Sequence, residues 1–360
     1  MKLIIAGGGT GGHLFPAMAI ADAVQELEPR SEVLFIGTRH GIESRILPEL
    51  GLPVKFISTR GIRKTGILNR LYALVELPWA LIQSVRIIQS FQPDVVLGVG
   101  GYASGPAVAA AVLMRIPTAI QEQNSVMGTT NRILARFVDQ ILISWEHTEP
   151  ATPPKKTILA GNPVRQGILE GSALEDSTDR FKILIFGGSR GAASINRAFA
   201  NNAQMLKPYA HRVGIVHQTG ADDCAYVEAA YREAGIKARV IDFIDSIGAF
   251  YRWADLVVCR SGASSLAELT ALGKPALVIP YPYAIGDHQM KNARNLESAG
   301  AVRVIQDSNL ANGSLVKAVV ELMAKPEVLK GMAQQSRLQG KPQAAKVIAE
   351  NILMLARGGR

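Results

Sequence analysis

An apolar tetrapeptide, Leu3-Ile4-Ile5-Ala6, runs without a break into Gly7-Gly8-Gly9-Thr10-Gly11-Gly12-His13. Half the chain later, Ile183-Leu184-Ile185-Phe186 runs into Gly187-Gly188-Ser189-Arg190-Gly191-Ala192. A strand, a side-chain-poor turn and a helix start make the entry to a βα unit, and its bare backbone N–H groups at the helix N-terminus form a cradle for an anion. Two such entries predict two nucleotide-fold domains facing one cleft. The length agrees, because 360 residues are long for one core and a hydrophobic content of 48% fills two.

The remaining sequence continues the scheme. Apolar runs at 33–36, 54–57, 94–99, 117–121, 140–144 and 157–160 alternate with helical patterns, as do runs at 182–186, 213–217, 238–243, 255–259, 275–279 and 302–305. Strands buried on both faces and joined by helical crossovers read in this way, so each half is expected to be a parallel α/β sheet. The polar, glycine-bearing stretch 167–179 is the expected linker. It separates a Rossmann-like N-terminal domain, 1–166, from a Rossmann-like C-terminal domain, 167–360. From Asn309 the pattern is helical with one break at Pro326, and the last helix is able to pack back on the N-terminal domain.

Composition removes several classes. The two cysteines, Cys224 and Cys259, have no CxxC or metal-type spacing, so neither a disulfide framework nor a metal site is expected and a reducing cytoplasm is the simpler setting. Glycines end the first apolar run too early for an export signal, and no run approaches the length of a membrane span. A formal charge of +9 calls for an anionic partner. With 6% aromatic residues and no zinc-finger or RNP-like spacing, nucleic acid is not that partner.

Gly7, Gly9 and Gly12 match the dinucleotide fingerprint, but the second strand ends in Gly37-Thr38-Arg39, without the carboxylate that reads a ribose. Arg39 keeps an NADP-dependent oxidoreductase open, and a non-catalytic nucleotide-sugar-binding or membrane-scaffold protein is the other alternative. Two further loops carry weight. One is Gly98 to Pro106. In the other, Cys259-Arg260-Ser261-Gly262-Ala263-Ser264-Ser265-Leu266-Ala267-Glu268, small hydroxyl residues open a helix. There backbone amides with Ser264 or Ser265 suit a diphosphate, and Glu268 suits two sugar hydroxyls. No Asp-x-Asp occurs, which fits an anion held by dipoles and cations. Between Arg60 and Arg86, Ile67, Leu68, Leu71, Leu74, Leu77 and Trp79 interleave with Arg63, Lys64 and Arg70, against the acid Glu76. Ile67, Leu71 and Leu74 share a helical face, either a core stripe or a contact with an anionic membrane surface.

In chain order, Gly7 to His13, Gly100 to Pro106, Gln121-Glu122-Gln123-Asn124, Gly161 to Arg165, Gly187 to Gly191, Phe243-Ile244, Cys259 to Glu268 and Asp287-His288-Gln289 resemble the motif set of the MurG family. Its members are bacterial N-acetylglucosaminyltransferases that convert lipid I to lipid II in peptidoglycan synthesis. The resemblance implies a GT-B fold, with UDP-N-acetylglucosamine (UDP-GlcNAc) held mainly by the C-terminal domain and the undecaprenyl-linked acceptor, lipid I, by the N-terminal one. It implies that Thr10, Gly11 and Gly12 approach the donor sugar, that Asn124 binds a GlcNAc hydroxyl, and that Arg165 and Ser189 take the diphosphate side. Ile244 would meet the uracil edge through its backbone. Ala263, Ser264, Ser265, Leu266, Ala267 and Glu268 would take phosphates and ribose, and Gln289 the sugar's hydroxyls.

By the same resemblance the transfer is one inverting displacement by the C4 hydroxyl of the acceptor's N-acetylmuramoyl sugar, with no cofactor and no metal required. A base must lie near that hydroxyl; His13 is the first candidate and Glu122 the second. The expected setting is peripheral, at the cytoplasmic face of the bacterial inner membrane, in cell-shape and cell-division processes, with other cell-wall synthesis proteins as compatible partners. The chain departs from some relatives in Gln121, where a His can precede Glu-Gln-Asn, and in Ser264-Ser265, where Leu-Thr can occur. The needed polar groups are kept, and Gln121 is given no acid–base role.

Overall fold

The computed structural model describes residues 1–59, 67–175, 178–188 and 191–358, apart from the side chains of 67–75 and of Ile285. The chain divides into two compact units, Met1–Arg165 with Gln343–Arg360, and Gln166–Pro342.

The first unit runs β1 (Lys2–Ala6), α1 (Gly11–Leu27), β2 (Glu32–Gly37), α2 (Glu43–Glu49), β3 (Val54–Phe56), α3 (Ile67–Phe91), β4 (Val95–Gly98), α4 (Ser104–Leu113), β5 (Thr118–Glu122), α5 (Thr129–Leu134), β6 (Gln140–Ile143) and β7 (Thr157–Leu159). Among the described residues its strands form a parallel sheet in the order β3-β2-β1-β4-β5-β6-β7. The period of two along β1 decides its packing: Leu3 and Ile5 enter one core with Leu14 and Ile20 of α1, while Ile4 and Ala6 enter the other with Ala107 and Val108 of α4. Both faces are covered, so the strands are apolar throughout. The sheet order reverses between β1 and β4, and the loops leaving their carboxyl ends meet at that switch point.

The second unit runs α6 (Gln166–Leu169), β8 (Phe181–Phe186), α7 (Ala193–Asn201), β9 (Val213–Gln218), α8 (Cys224–Glu233), β10 (Ala238–Ile241), α9 (Ile247–Trp253), β11 (Leu256–Arg260), α10 (Ala263–Leu272), β12 (Ala276–Ile279), α11 (His288–Ser298), β13 (Val302–Val304), α12 (Ser314–Met323) and α13 (Pro326–Gln339). Its parallel sheet has the order β10-β9-β8-β11-β12-β13, with the reversal between β8 and β11. The same kind of clamp recurs inside each unit. Asp94, just before β4, exchanges backbone N–H and carboxylate bonds with Lys2, and Asp255, just before β11, does the same with Lys182, all at 2.8 Å. Each clamp sets the register of the central strand pair beside its switch point.

Three expectations need correction. The stretch 167–179 does not begin as a free linker, because α6 buries Ile168 and Arg252 donates to the carbonyls of Ile168, at 2.6 Å, and Ser172, at 3.2 Å. The helical tail breaks twice, at Pro326 and again between Gln339 and Ala344. The second domain ends at Pro342 rather than 360, in the way the sequence left open: the last helix, α14 (Ala344–Gly358), packs its apolar stripe Ile348, Ala349, Ile352 and Ala356 into the α1 side of the first core. Both cysteines are unpaired.

Candidate functional site

At the carboxyl end of β1 the chain turns through three glycines to Thr10, whose extended backbone starts α1 with no side-chain cap. Gly101 (φ +81°), in the loop after β4, lies so close to the Gly8 backbone that a Cβ has no room. The His13 ring covers the neighbouring Gly100, where a Cβ would sit 3.1 Å from Nε2. Nδ1 of His13 lies 3.1 Å from the Gly8 carbonyl and 3.4 Å from Thr10 Oγ1. A carbonyl only accepts, so Nδ1 carries the proton and Nε2 the lone pair of the neutral ring.

One amide of the anion cradle expected at this loop, that of Gly9, is taken from within the protein. Glu43, at the start of α2 and 0% exposed, accepts the Gly9 N–H at 2.7 Å on one oxygen and the Thr38 N–H and hydroxyl at 2.9 and 3.0 Å on the other. A Cβ at Gly8, Gly37 or Gly41 would run into this side chain. The carboxylate missing from the end of β2 is therefore present, but it serves the loop itself. Arg39 lies over the Phe56 ring at 5.8 Å. Sequence reading missed Glu43 because an acid in a helix's first turn is ordinarily a partner of the helix dipole.

Glu122 is buried at the end of β5 and its oxygens are committed. Oε1 accepts from Asn124 N and Nδ2 at 3.1 and 3.2 Å, and Oε2 from Gly128 N and Asn131 Nδ2 at 3.1 and 2.9 Å. The side chain ties down the loop between β5 and α5, which leaves it ill-placed as the base. Asn131, which the sequence did not single out, also donates to the Gln121 carbonyl at 3.0 Å and stands beside Gly100, 3.7 Å from a Cβ built there. Thus His13, Gly100, Asn131 and Glu122 line one end of the first sheet. Arg165 sets its guanidinium over the Phe15 ring of α1 at 4.3 Å. Nearby, burial pushes the Asp22 carboxyl above its ordinary range and the Arg165 charge pulls it back.

Of the stripe at 60–79, Arg60, Arg63 and Lys64 lie outside the described residues, as do the side chains of Ile67, Leu68, Arg70, Leu71 and Leu74. Further along α3, Ala80, Ser84 and Ile88 are buried while Leu77, Trp79 and Ile82 are exposed, with Arg86 5.9 Å from the Trp79 ring. Among the described residues, no helix is long and apolar enough to cross a membrane.

In the second unit, Gly191 (φ +74°) presses on the Thr219 carbonyl where a Cβ would collide. Ser189 lies outside the described residues. Beyond β11, α10 opens at Gly262 without a side-chain cap, and Ser264 Oγ is buried with no hydrogen-bond partner among the described residues. Glu268, 9% exposed, accepts the Tyr251 hydroxyl at 2.8 Å. Gln289 is doubly anchored, its side-chain oxygen accepting Tyr281 N and its carbonyl accepting Ser261 Oγ, both at 2.9 Å. Ala263, Ser265, Ala267 and Ile244 are half-buried in the loops and first turns at this end of the sheet. Leu266 is a correction: its side chain is in the core and its N–H donates to the Gly262 carbonyl at 3.0 Å, so it offers a ligand neither. Arg260 is locked by Asp307, by Ser194 Oγ at 2.7 Å and by the Tyr281 ring at 5.5 Å. No group of three or more His, Cys, Asp or Glu among the described residues is arranged to hold a metal ion.

Residues 3–143 match the glycosyltransferase family 28 N-terminal domain and residues 182–348 its C-terminal domain. The UDP-N-acetylglucosamine--N-acetylmuramyl-(pentapeptide) pyrophosphoryl-undecaprenol N-acetylglucosamine transferase of Syntrophus aciditrophicus is 46% identical over 358 residues, covering 99% of each chain. The protein of the same name from Geobacter sulfurreducens is 46% identical over 361 residues, again covering 99% of each. The crystal structure of Acinetobacter baumannii MurG superposes with a TM-score of 0.80 at 29% identity, covering 98% of this chain and 99% of that one. At 17% identity and a TM-score of 0.69, the UDP-GlcNAc 2-epimerase of Neisseria meningitidis, solved with UDP-GlcNAc, shares the fold over 98% of this chain and 100% of its own.

Proposed function

The chain belongs to glycosyltransferase family 28, and from that membership we propose that it transfers N-acetylglucosamine from UDP-GlcNAc to the C4 hydroxyl of the N-acetylmuramoyl sugar of lipid I, giving lipid II with inversion at the transferred sugar. Its two parallel-sheet units are those of the GT-B fold. The observation that carries the donor reading is Glu268, a buried carboxylate held by Tyr251 on the helix that leaves the second switch point. A carboxylate so held reads two vicinal ribose hydroxyls. The oxidoreductase alternative loses its basis, because Glu43 already holds the first loop's Gly9 N–H, which a cofactor pyrophosphate would need.

In this reading the nucleotide lies along the first turn of α10, with Ser264 and Ser265 on the diphosphate, Gln289 on the sugar and the Ile244 backbone on the uracil edge. The bond from the sugar's C1 to the diphosphate oxygen breaks as the acceptor oxygen attacks from the opposite face. Positive charge then grows on the ring and negative charge on the departing UDP, and stabilising that anion is the protein's largest contribution. Arg165, Ser189 and the uncapped α10 amides serve it, so no resident cofactor or metal is called for. His13 receives the C4 hydroxyl proton on Nε2, since Nδ1 is turned to the Gly8 carbonyl. Asn124 and the loop Thr10 to Gly12 face the sugars. The enzyme works as a peripheral protein at the cytoplasmic face of the membrane that carries its acceptor, supported by the exposed Leu77, Trp79 and Ile82 and by the net charge of +9.

The test is incubation with labelled UDP-GlcNAc and a short-chain lipid I analogue. Formation of the disaccharide product with release of UDP is expected; UDP binding without disaccharide would leave only the non-catalytic alternative.

A further inference from the structure

We propose that Glu43 is a positioning residue for the transfer: an internal carboxylate that takes the Gly9 amide in place of a substrate phosphate and thereby fixes the proton of His13 on Nδ1. It rests on the reading of His13 as the group that meets the acceptor hydroxyl, and it adds a residue outside the expected substrate contacts.

The geometry leaves the carboxylate little other use. It is 0% exposed, yet both oxygens are engaged, Oε2 by Gly9 N and Oε1 by two donors from Thr38. The chain has cleared space for it, since Gly8, Gly37 and Gly41 each lack a side chain where a Cβ would strike it. An ionised carboxylate accepts and never donates, so it suits a pocket made wholly of N–H and O–H donors. With Gly9 pulled inward, the Gly8 carbonyl is oriented to His13 Nδ1 at 3.1 Å. The effect passes along the backbone: Glu43 orients the peptide from Gly8 to Gly9, that peptide's carbonyl selects the histidine tautomer, and Nε2 is left as the basic nitrogen. A second consequence follows for the acceptor. Its pyrophosphate cannot use the Gly9 amide and must be held elsewhere.

Glu43→Gln tests this with little change of shape. Glutamine has one accepting and one donating end, so in either orientation its NH2 faces Gly9 N–H or the two Thr38 donors. The expected result is a fall in kcat of at least about tenfold, as for a reacting group misplaced by a fraction of an ångström. Calorimetric UDP affinity should stay within about twofold, since Glu43 bonds to none of the residues assigned to the nucleotide. Imidazole 15N NMR should show His13 moving from the Nδ1–H tautomer of the parent to a mixture. Parent-like kcat and an unchanged tautomer in Glu43→Gln, or an Nε2–H tautomer in the parent, would overturn the proposal. If Glu43→Gln does not fold, Thr38→Val removes one donor; a smaller fall in kcat with unchanged UDP affinity supports the proposal, and parental kcat overturns it. A parent that transfers nothing to lipid I would instead defeat the proposed function, while the NMR result would still decide what Glu43 does to His13.

Discussion

A buried carboxylate costs several kcal/mol in lost hydration unless hydrogen bonds replace the water, and Tyr251 supplies one such bond to Glu268 from an adjoining helix. If that carboxylate also receives two ribose hydroxyls, Glu268→Ala weakens UDP-GlcNAc binding by about 1.5–3 kcal/mol, the range for hydrogen bonds to a charged group; titration calorimetry checks it, and unchanged affinity removes the ribose role. His217 illustrates the opposite protonation choice. The Asn196 amide nitrogen gives its protons to the Thr219 carbonyl at 2.8 Å and to Asp223 at 2.7 Å, so its oxygen accepts from His217 Nε2, and His217 Nδ1 accepts from the Tyr231 hydroxyl at 3.0 Å. A fully paired neutral ring has no room for a second proton, and burial lowers its pKa from 6.5 to about 3. The unfolded chain therefore binds more protons between those values, so stability is complete above about pH 6.5 and is lost as pH falls toward 3, by up to about 1.4 kcal/mol per pH unit. Chemical denaturation of the second unit between pH 7 and 4 should show that slope, and His217→Asn should flatten it. Neither pairing was legible beforehand: the sequence singled out Glu268 for sugar hydroxyls and not for Tyr251, and His217 reads as one more residue in an apolar strand.

At the scale of elements, α14 shows what periodicity decides and what it leaves open. Its stripe Ile348, Ala349, Ile352 and Ala356 announces a helix with a partner, but not which core receives it. The first core does, through α1, and Ile352 is 0% exposed there. Ile352→Ala should therefore destabilise the first unit by about 2–5 kcal/mol through lost burial and the cavity left behind; urea denaturation followed by circular dichroism measures it, with the second unit's transition unmoved. Beyond the face set by Ile67, Leu71 and Leu74, whose side chains lie outside the described residues, helix α3 packs one side on the core and leaves another open. Ala80, Ser84 and Ile88, four residues apart, pack inward beside α4, while Leu77, Trp79 and Ile82 stay exposed. One amphipathic pattern thus serves the core and still presents apolar side chains outward.

For the whole molecule, the proposed contact with an anionic surface would draw on the net charge of +9 and on the exposed Leu77, Trp79 and Ile82 of α3 together. Each Lys or Arg near such a surface contributes about 1 kcal/mol and is screened by salt, whereas buried apolar side chains are not screened. Cosedimentation with phosphatidylglycerol vesicles should accordingly be strong at low salt and weaken as salt rises. Leu77→Ser with Trp79→Ser should lower partitioning at least about tenfold through lost apolar burial, and no change would remove α3 from the contact. The strand runs, the glycine turn at 7–12 and the doubling of the βα plan were determined by the sequence alone, because they depend on patterns within a few neighbouring residues. The tertiary structure alone decided which of the polar groups there were already spoken for. Glu43 meets Gly9 across 34 positions, Glu268 meets Tyr251 across 17 and Glu122 meets Asn131 across 9. Hydrogen bonds between separated segments follow from how the elements pack, so the same glycine-loop pattern yields an anion site left for a ligand or, as at Gly9, one that the protein fills itself.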